Sequence, residues 1–144
     1  MGSGKVLVVD DEPAIRALVA KIIQRAGHDV DTARDGAEAI EKLAVTSYAV
    51  IVLDLMMPNV DGYALIRHVK DQGTTRPAII VISAGDSASL RQLDPSMVHS
   101  ILRKPFDIDV LGELVDAAAA ASAERDTAAQ DRGVVPFRRK ENVC

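Results

Sequence analysis

Val50-Ile51-Val52-Leu53-Asp54-Leu55-Met56-Met57-Pro58-Asn59-Val60-Asp61-Gly62 is the stretch from which the rest of the chain can be read. Four apolar residues in succession suit a strand covered on both faces, as in a parallel sheet, better than one with a wet side. Asp54 stands where that strand should end, and Pro58 marks a loop before a helix opened by Asp61. A carboxylate at the end of a buried strand is costly to hold as an ion unless cations meet it there. Asp54 is therefore a candidate functional carboxylate whose partners must come from elsewhere in the chain.

Outward from Asp54, the same grammar repeats. Val6-Leu7-Val8-Val9 is a second all-apolar run, and it stops at three acids, Asp10-Asp11-Glu12. Pro13 suits the first turn of a helix, in which Ile15, Leu18, Val19, Ile22, Ile23 and Ala26 recur at helical spacing until Gly27 closes it. Asp29 to Ala33 makes a short strand. Asp35 and Glu38 form a capping box for a helix whose inner face carries Ile40, Leu43 and Ala44. Beyond Gly62 a helix carries Leu65, Ile66 and Val69. Ala78 to Ile82 is another buried strand, ending at Ser83-Ala84-Gly85.

The segment Asp86 to Leu93 is short and serine-rich, and Asp94-Pro95 cuts it off, so an abbreviated or mobile fourth helix is expected there. Val98 to Leu102 reads as a fifth strand leading into Arg103-Lys104-Pro105-Phe106. Asp107 then starts a last helix with Ile108, Leu111, Leu114, Val115 and Ala118 on one face. Strand and helix alternating five times predicts an α/β fold, a five-stranded parallel sheet doubly wound with helices on both faces.

Size and composition bound the function. A chain of 144 residues, 48% hydrophobic and 26% charged, is enough for one domain with a proper core. Its formal net charge of −4 gives no basic surface for nonspecific nucleic-acid binding. No apolar run approaches the ~18 residues of a membrane span, and there is no signal-peptide core. The single cysteine, Cys144, excludes an intrachain disulfide and a cysteine metal cluster. A cytoplasmic setting is expected. Gly-Ser-Gly-Lys at residues 2–5 precedes the first strand instead of following one, and Val6 stands where a phosphate-binding loop needs Ser or Thr. Residues 1–4 thus read as a flexible start or an expression remnant, 5–123 as the domain, and 124–144, with Arg138-Arg139-Lys140, as a disordered polar tail.

In open parallel sheets ligands bind beyond the carboxyl ends of the strands. Those ends present Asp10 and Asp11, Asp54, Ser83 and Lys104. Three carboxylates brought together repel one another and call for a divalent cation and the lysine. Oxygen-only ligation with water positions left open suits Mg²⁺, and no strand-end histidine or cysteine favours zinc. His28, His68 and His99 share no spacing and are expected at the surface.

The order Asp10-Asp11, Asp54 with Met57-Pro58 and Asp61-Gly62, Ser83-Ala84, and Lys104-Pro105-Phe106 resembles the receiver domain of two-component response regulators, over roughly residues 5–123. The resemblance implies a flavodoxin-like strand order of 2-1-3-4-5. It implies that Asp54 accepts a phosphoryl group from a phosphohistidine on a sensor histidine kinase or histidine phosphotransfer protein. Asp11, Asp54 and the backbone carbonyl of Met56 would hold Mg²⁺, and Asp10 would act through a metal-bound water. Lys104 and Ser83 would contact phosphoryl oxygens, and Lys104-Pro105 would be a cis peptide. Such a module is a switch and not a turnover enzyme, with slow self-phosphorylation and dephosphorylation only.

Where the family carries an aromatic switch residue, three before the lysine, this chain has Ile101. The Ser83 half of the usual readout is present and the aromatic half is missing. The resemblance places partners on the first helix, or on the face made by the fourth helix, fifth strand and last helix, where receivers also dimerise. Residues 124–144 are too few for an effector domain, so a stand-alone receiver or one excised from a larger regulator is expected. Two other readings compete. A receiver-like binding scaffold that is not phosphorylated fits Ile101, but gives no reason to retain mutually repelling acids. A small aspartyl-phosphate hydrolase of the haloacid dehalogenase type would need Asp-x-Asp on the first strand, whereas Glu12 stands two after Asp10.

Overall fold

The computed structural model describes residues 5–55, 62–71, 77–84, 90–91 and 93–131, with side chains through residue 122. Its strands are β1 (Lys5–Val9), β2 (Asp29–Ala33), β3 (Val50–Asp54), β4 (Ala78–Ser83) and β5 (Ser100–Arg103). Its helices are α1 (Pro13–Arg25), α2 (Gly36–Val45), α3 (Gly62–Asp71) and α4 (Ile108–Asp131). All ladders are parallel, in the order β2-β1-β3-β4-β5. This is the expected doubly wound sheet.

Alternation along the central strands divides the core in two. Leu7, Val9, Ile51, Leu53, Ile79 and Val81 pack with Ala39, Leu65, Ile66 and Val69 on the α2–α3 side. Val6, Val8, Val50, Val52, Ile80 and Ile82 pack with Val19, Ile23, Leu111 and Val115 on the α1–α4 side. Every residue of β3 and β4 is buried, which is why those strands lack polar alternation. Edge strand β2 carries Asp29, Asp31 and Thr32, polar residues suited to an unpaired sheet edge.

Local chemistry sets the helix ends. Asp35 accepts from the Glu38 amide at 2.9 Å, while the Glu38 carboxylate accepts from the Arg34 amide at 2.7 Å. This is the expected capping box, with the return bond displaced by one residue. Asp107 accepts from the amides of Asp109 and Val110 and starts α4. Gly27, at φ 101°, ends α1 in the left-handed region that glycine enters without strain.

The structure corrects several expectations. Strand β5 begins at Ser100, because the Val98–His99 pair still belongs to the approach that ties the His99 amide to the Ile79 carbonyl at 2.7 Å. Helix α4 runs through residues 124–131, which were expected in the tail. Alanine, glutamate, arginine and glutamine are strong helix formers and extend a helix already anchored by its packed first turns. Leu18 and Ile108, members of the apolar repeats of the first and last helices, are 43% and 54% exposed. His28 is buried instead of surface-exposed, because the turn after α1 folds it onto α4, where Nε2 lies 2.7 Å from Asp116 Oδ1. The expected cap Asp61 and most of the expected fourth helix at Asp86–Leu93 lie outside the described residues; Leu93 itself is buried in the α2–α3 core.

Candidate functional site

The carboxyl ends of the strands converge as the sequence requires. Asp54 closes β3 beside Ile82 of β4 and is 6% exposed. Ser83 closes β4 and is fully buried, and its carbonyl accepts from the Lys104 amide at 3.0 Å. That bond fixes the start of the β5–α4 connection, where Lys104-Pro105 is a cis peptide. The Lys104 ammonium lies 3.4 Å from Asp54 Oδ2 and 3.5 Å from Glu12 Oε1.

Asp10 lies one residue past the end of β1, with its amide donating to the Ala33 carbonyl at 3.1 Å. Its carboxylate accepts from the Glu12 amide at 2.9 Å, making a tight acidic turn ahead of Pro13. Carboxylate oxygens of Asp10, Glu12 and Asp54 all lie within 4.8 Å of one another. Asp11 is exposed and stands outside that group. Glu12, which the sequence marks only as the third acid of a run, is the residue that pattern reading undervalued. Its closeness to Lys104 depends on the turn geometry and not on its spacing along the chain. Met56 lies outside the described residues.

The electrostatics follow from burial and crowding. Burial pushes the Asp10 carboxyl up to about 6; the Glu12 amide opposes this, the charges of Asp54 and Asp11 add to it, and Lys104 opposes it. Burial pulls the Lys104 ammonium down, but the negative charges of Asp54, Asp10 and Glu12 outweigh it and hold its pKa above the usual lysine value. One lysine facing three carboxylates leaves a local excess of negative charge. An all-oxygen donor set with such an excess fits a hard divalent cation.

The response regulator receiver domain family matches residues 6–116, most of the chain. This chain belongs to that family. The receiver is 38% identical over 108 residues to the transcriptional regulatory protein TrcR of Mycobacterium tuberculosis, covering 74% of the chain and 42% of TrcR. It is 35% identical over 107 residues to the sensor protein EvgS of Escherichia coli K12, covering 74% of the chain and 9% of EvgS. The receiver thus spans less than half the length of either relative. Among solved structures, the receiver domain of Francisella response regulator 1452 aligns with a TM-score of 0.75 at 32% identity, covering 83% of this chain and 98% of that one. The response regulator TrrA of Thermotoga maritima, solved in complex with Mg²⁺-BeF, aligns with a TM-score of 0.72 at 31% identity, covering 80% of this chain and 98% of that one. None of the described helices is long and apolar enough to cross a membrane.

Proposed function

We propose that this receiver is a phosphoacceptor in a two-component phosphorelay, and that Asp54 takes the phosphoryl group. The observation that carries the reading is Asp54 itself, a carboxylate at the end of a buried strand with Lys104 at 3.4 Å and two further acids close by. An Asp54 carboxylate oxygen attacks the phosphorus of a partner phosphohistidine as the P–N bond breaks. The electron pair returns to the imidazole, which takes up a proton, and an aspartyl phosphate remains. Such transfer has a loose, in-line transition state, so positioning and counter-charge supply most of the catalysis. Lys104 offers its ammonium to a peripheral oxygen, and the buried Ser83 hydroxyl takes another.

Mg²⁺ would be held by Asp11, Asp54 and the Met56 carbonyl, with Asp10 acting through water; the acidic turn supports adding Glu12 to the groups that face it. When bound, the ion supplies charge neutralisation at the phosphoryl oxygens. The domain works as a switch with only slow turnover of its own phosphate, in the cytoplasm. A sensor kinase or phosphotransfer protein would dock on α1, which starts at the acidic turn. A groove of about 530 Å³ between α1 and α4, bordered by Leu18, Ile22 and Ile108, supports that placement. The output face would lie around the expected fourth helix, β5 and α4, where Ile101 is 43% exposed and where two copies could pair.

The test is intact mass after incubation with a small phosphodonor and Mg²⁺, for wild type and Asp54→Asn. A phosphate-sized, hydroxylamine-labile adduct on wild type alone is the expected result. No adduct and no Mg²⁺ binding would sink the reading in favour of a binding scaffold. Rapid turnover of many phosphate esters without an adduct would point to a hydrolase.

A further inference from the structure

Arg16 lies one turn into α1, outside every set of residues assigned to the site so far. Its Nη1 donates to the backbone carbonyl of Asp10 at 2.8 Å. That carbonyl lies beyond the last paired residue of both β1 ladders, Val9 opposite Ala33 and Leu53. It belongs to a residue only 2% exposed. A buried carbonyl past the end of its sheet must find a donor or carry a desolvation penalty, and the guanidinium is that donor. The Arg16 amide also bonds the Glu12 carbonyl at 2.9 Å. That amide bond is the first backbone bond of α1, so the Arg16 side chain ties the Asp10 end of the acidic turn to a helix turn already joined to its Glu12 end. The same turn has no side-chain cap at the helix start, since Glu12 makes no capping bond.

We infer that Arg16 is a positioning residue for the phosphoacceptor site, clamping the Asp10–Glu12 turn so that its carboxylates converge with Asp54 on a divalent cation. This rests on the proposed reading of the acidic cluster as a Mg²⁺ site. Arginine suits the task because its planar fork is pre-organised, which a flexible lysine is not.

The sign of the effect separates this role from simple electrostatics. Removing a positive charge near three carboxylates should, by charge alone, strengthen cation binding. Loss of a clamp should weaken it. The experiment is an NMR titration of backbone amides with Mg²⁺, at fixed ionic strength, on wild type, Arg16→Met and Arg16→Lys, with Arg67→Met on α3 as control. The expected result is about tenfold weaker Mg²⁺ binding for Arg16→Met, the range seen when groups that orient metal ligands are removed. Arg16→Lys should fall between it and wild type, and the control should match wild type. Unchanged or tighter binding by Arg16→Met overturns the inference. If Arg16→Met does not fold, Arg16→Lys decides at unchanged charge: weaker binding supports the clamp, and equal binding overturns it. Absence of Mg²⁺ binding by wild type would overturn the metal reading itself, and the clamp with it.

Discussion

The Lys104 ammonium sits 3.4 Å from the Asp54 carboxylate, bridging it to Glu12 at 3.5 Å on the other side. It is the cation that the structure sets among three mutually close acids. Lys104→Met should therefore destabilise the metal-free domain by about 1–2 kcal/mol at neutral pH, since it leaves partly buried carboxylates without their counter-charge. Mg²⁺ can replace that charge, so saturating Mg²⁺ should close most of the gap. Urea unfolding of both proteins with and without Mg²⁺ measures this. An equal loss under both conditions would mean that Lys104 acts through packing alone. On the proposed phosphoacceptor role of Asp54, phosphorylation should still slow in the variant, because a metal would not replace the lysine at the transferring oxygens.

Asp10 should make stability fall as pH rises. Its carboxyl is pushed up to about 6 by burial, with the Glu12 amide opposing and the charges of Asp54 and Asp11 adding. Between the ordinary value of 3.8 and about 6 the folded protein holds a proton that the unfolded chain has released. Stability therefore declines across that window and stays lowered above it. Asp10→Asn should remove this slope and stabilise the metal-free domain at pH 7 by on the order of 1–2 kcal/mol. Thermal unfolding from pH 4 to 8 in chelator gives both readouts. A variant as stable as wild type at pH 7 would refute the strain.

Why was so much of this legible in the residues alone? The parallel sheet was visible because its central strands are unbroken apolar runs, and each site residue marks the point where such a run stops. Asp54, Ser83 and Lys104 could be placed together without coordinates, since parallel strands must all end on one edge. What pattern could not supply was the geometry of turns. The convergence of Glu12 with Asp54, the grip of Arg16 on the Asp10 carbonyl, and the burial of His28 against Asp116 all depend on how a few loop residues bend. Periodicity likewise grouped Leu18 and Ile108 with the apolar repeats of their helices, although the shared layer of α1 and α4 over the sheet leaves both substantially exposed.

Gly62 tests how tightly the start of α3 packs on Leu55, the residue after Asp54. A Cβ at this position would sit 2.7 Å from the Leu55 Cα and 2.7 Å from its carbonyl oxygen, both backbone atoms that cannot turn aside. The Gly62 amide also donates to that carbonyl at 3.0 Å. Gly62→Ala should cost about 2–3 kcal/mol, because α3 must back away from the chain next to Asp54. Gly112→Ala in α4, where a Cβ meets nothing within 4 Å, should instead be neutral or stabilising by up to about 1 kcal/mol. Chemical denaturation of the pair decides it. Equal effects would show that helix propensity, not close approach, governs both sites.

Tyr48 and Asp31 give a pH dependence of opposite sign, away from the acidic site. The Tyr48 hydroxyl donates to Asp31 Oδ2 at 2.6 Å, joining the segment before β3 to edge strand β2, with the Lys5 ammonium 3.4 Å from the same oxygen. The Tyr48 bond is the main cause holding the Asp31 carboxyl below its usual value; burial opposes it, and the Lys5 charge and hydrogen bond aid it. Burial, together with Asp31, pushes the Tyr48 hydroxyl up to about 12, so it stays a donor at any ordinary pH. A depressed folded pKa contributes stability above the unfolded value and loses it as pH falls through the folded one. Tyr48→Phe should therefore cost about 1 kcal/mol at pH 7, a modest figure because Asp31 is partly exposed. The penalty should shrink as the solution is acidified below pH 4 and Asp31 protonates in both proteins. Phosphorylation of Asp54 should be unaffected, since this bond lies on β2 and ahead of β3 instead of beyond the strand ends. Unfolding free energies at pH 3 and pH 7, with the mass adduct as control, measure both halves. A penalty independent of pH would assign the bond's contribution to packing of the ring and not to the charged acceptor.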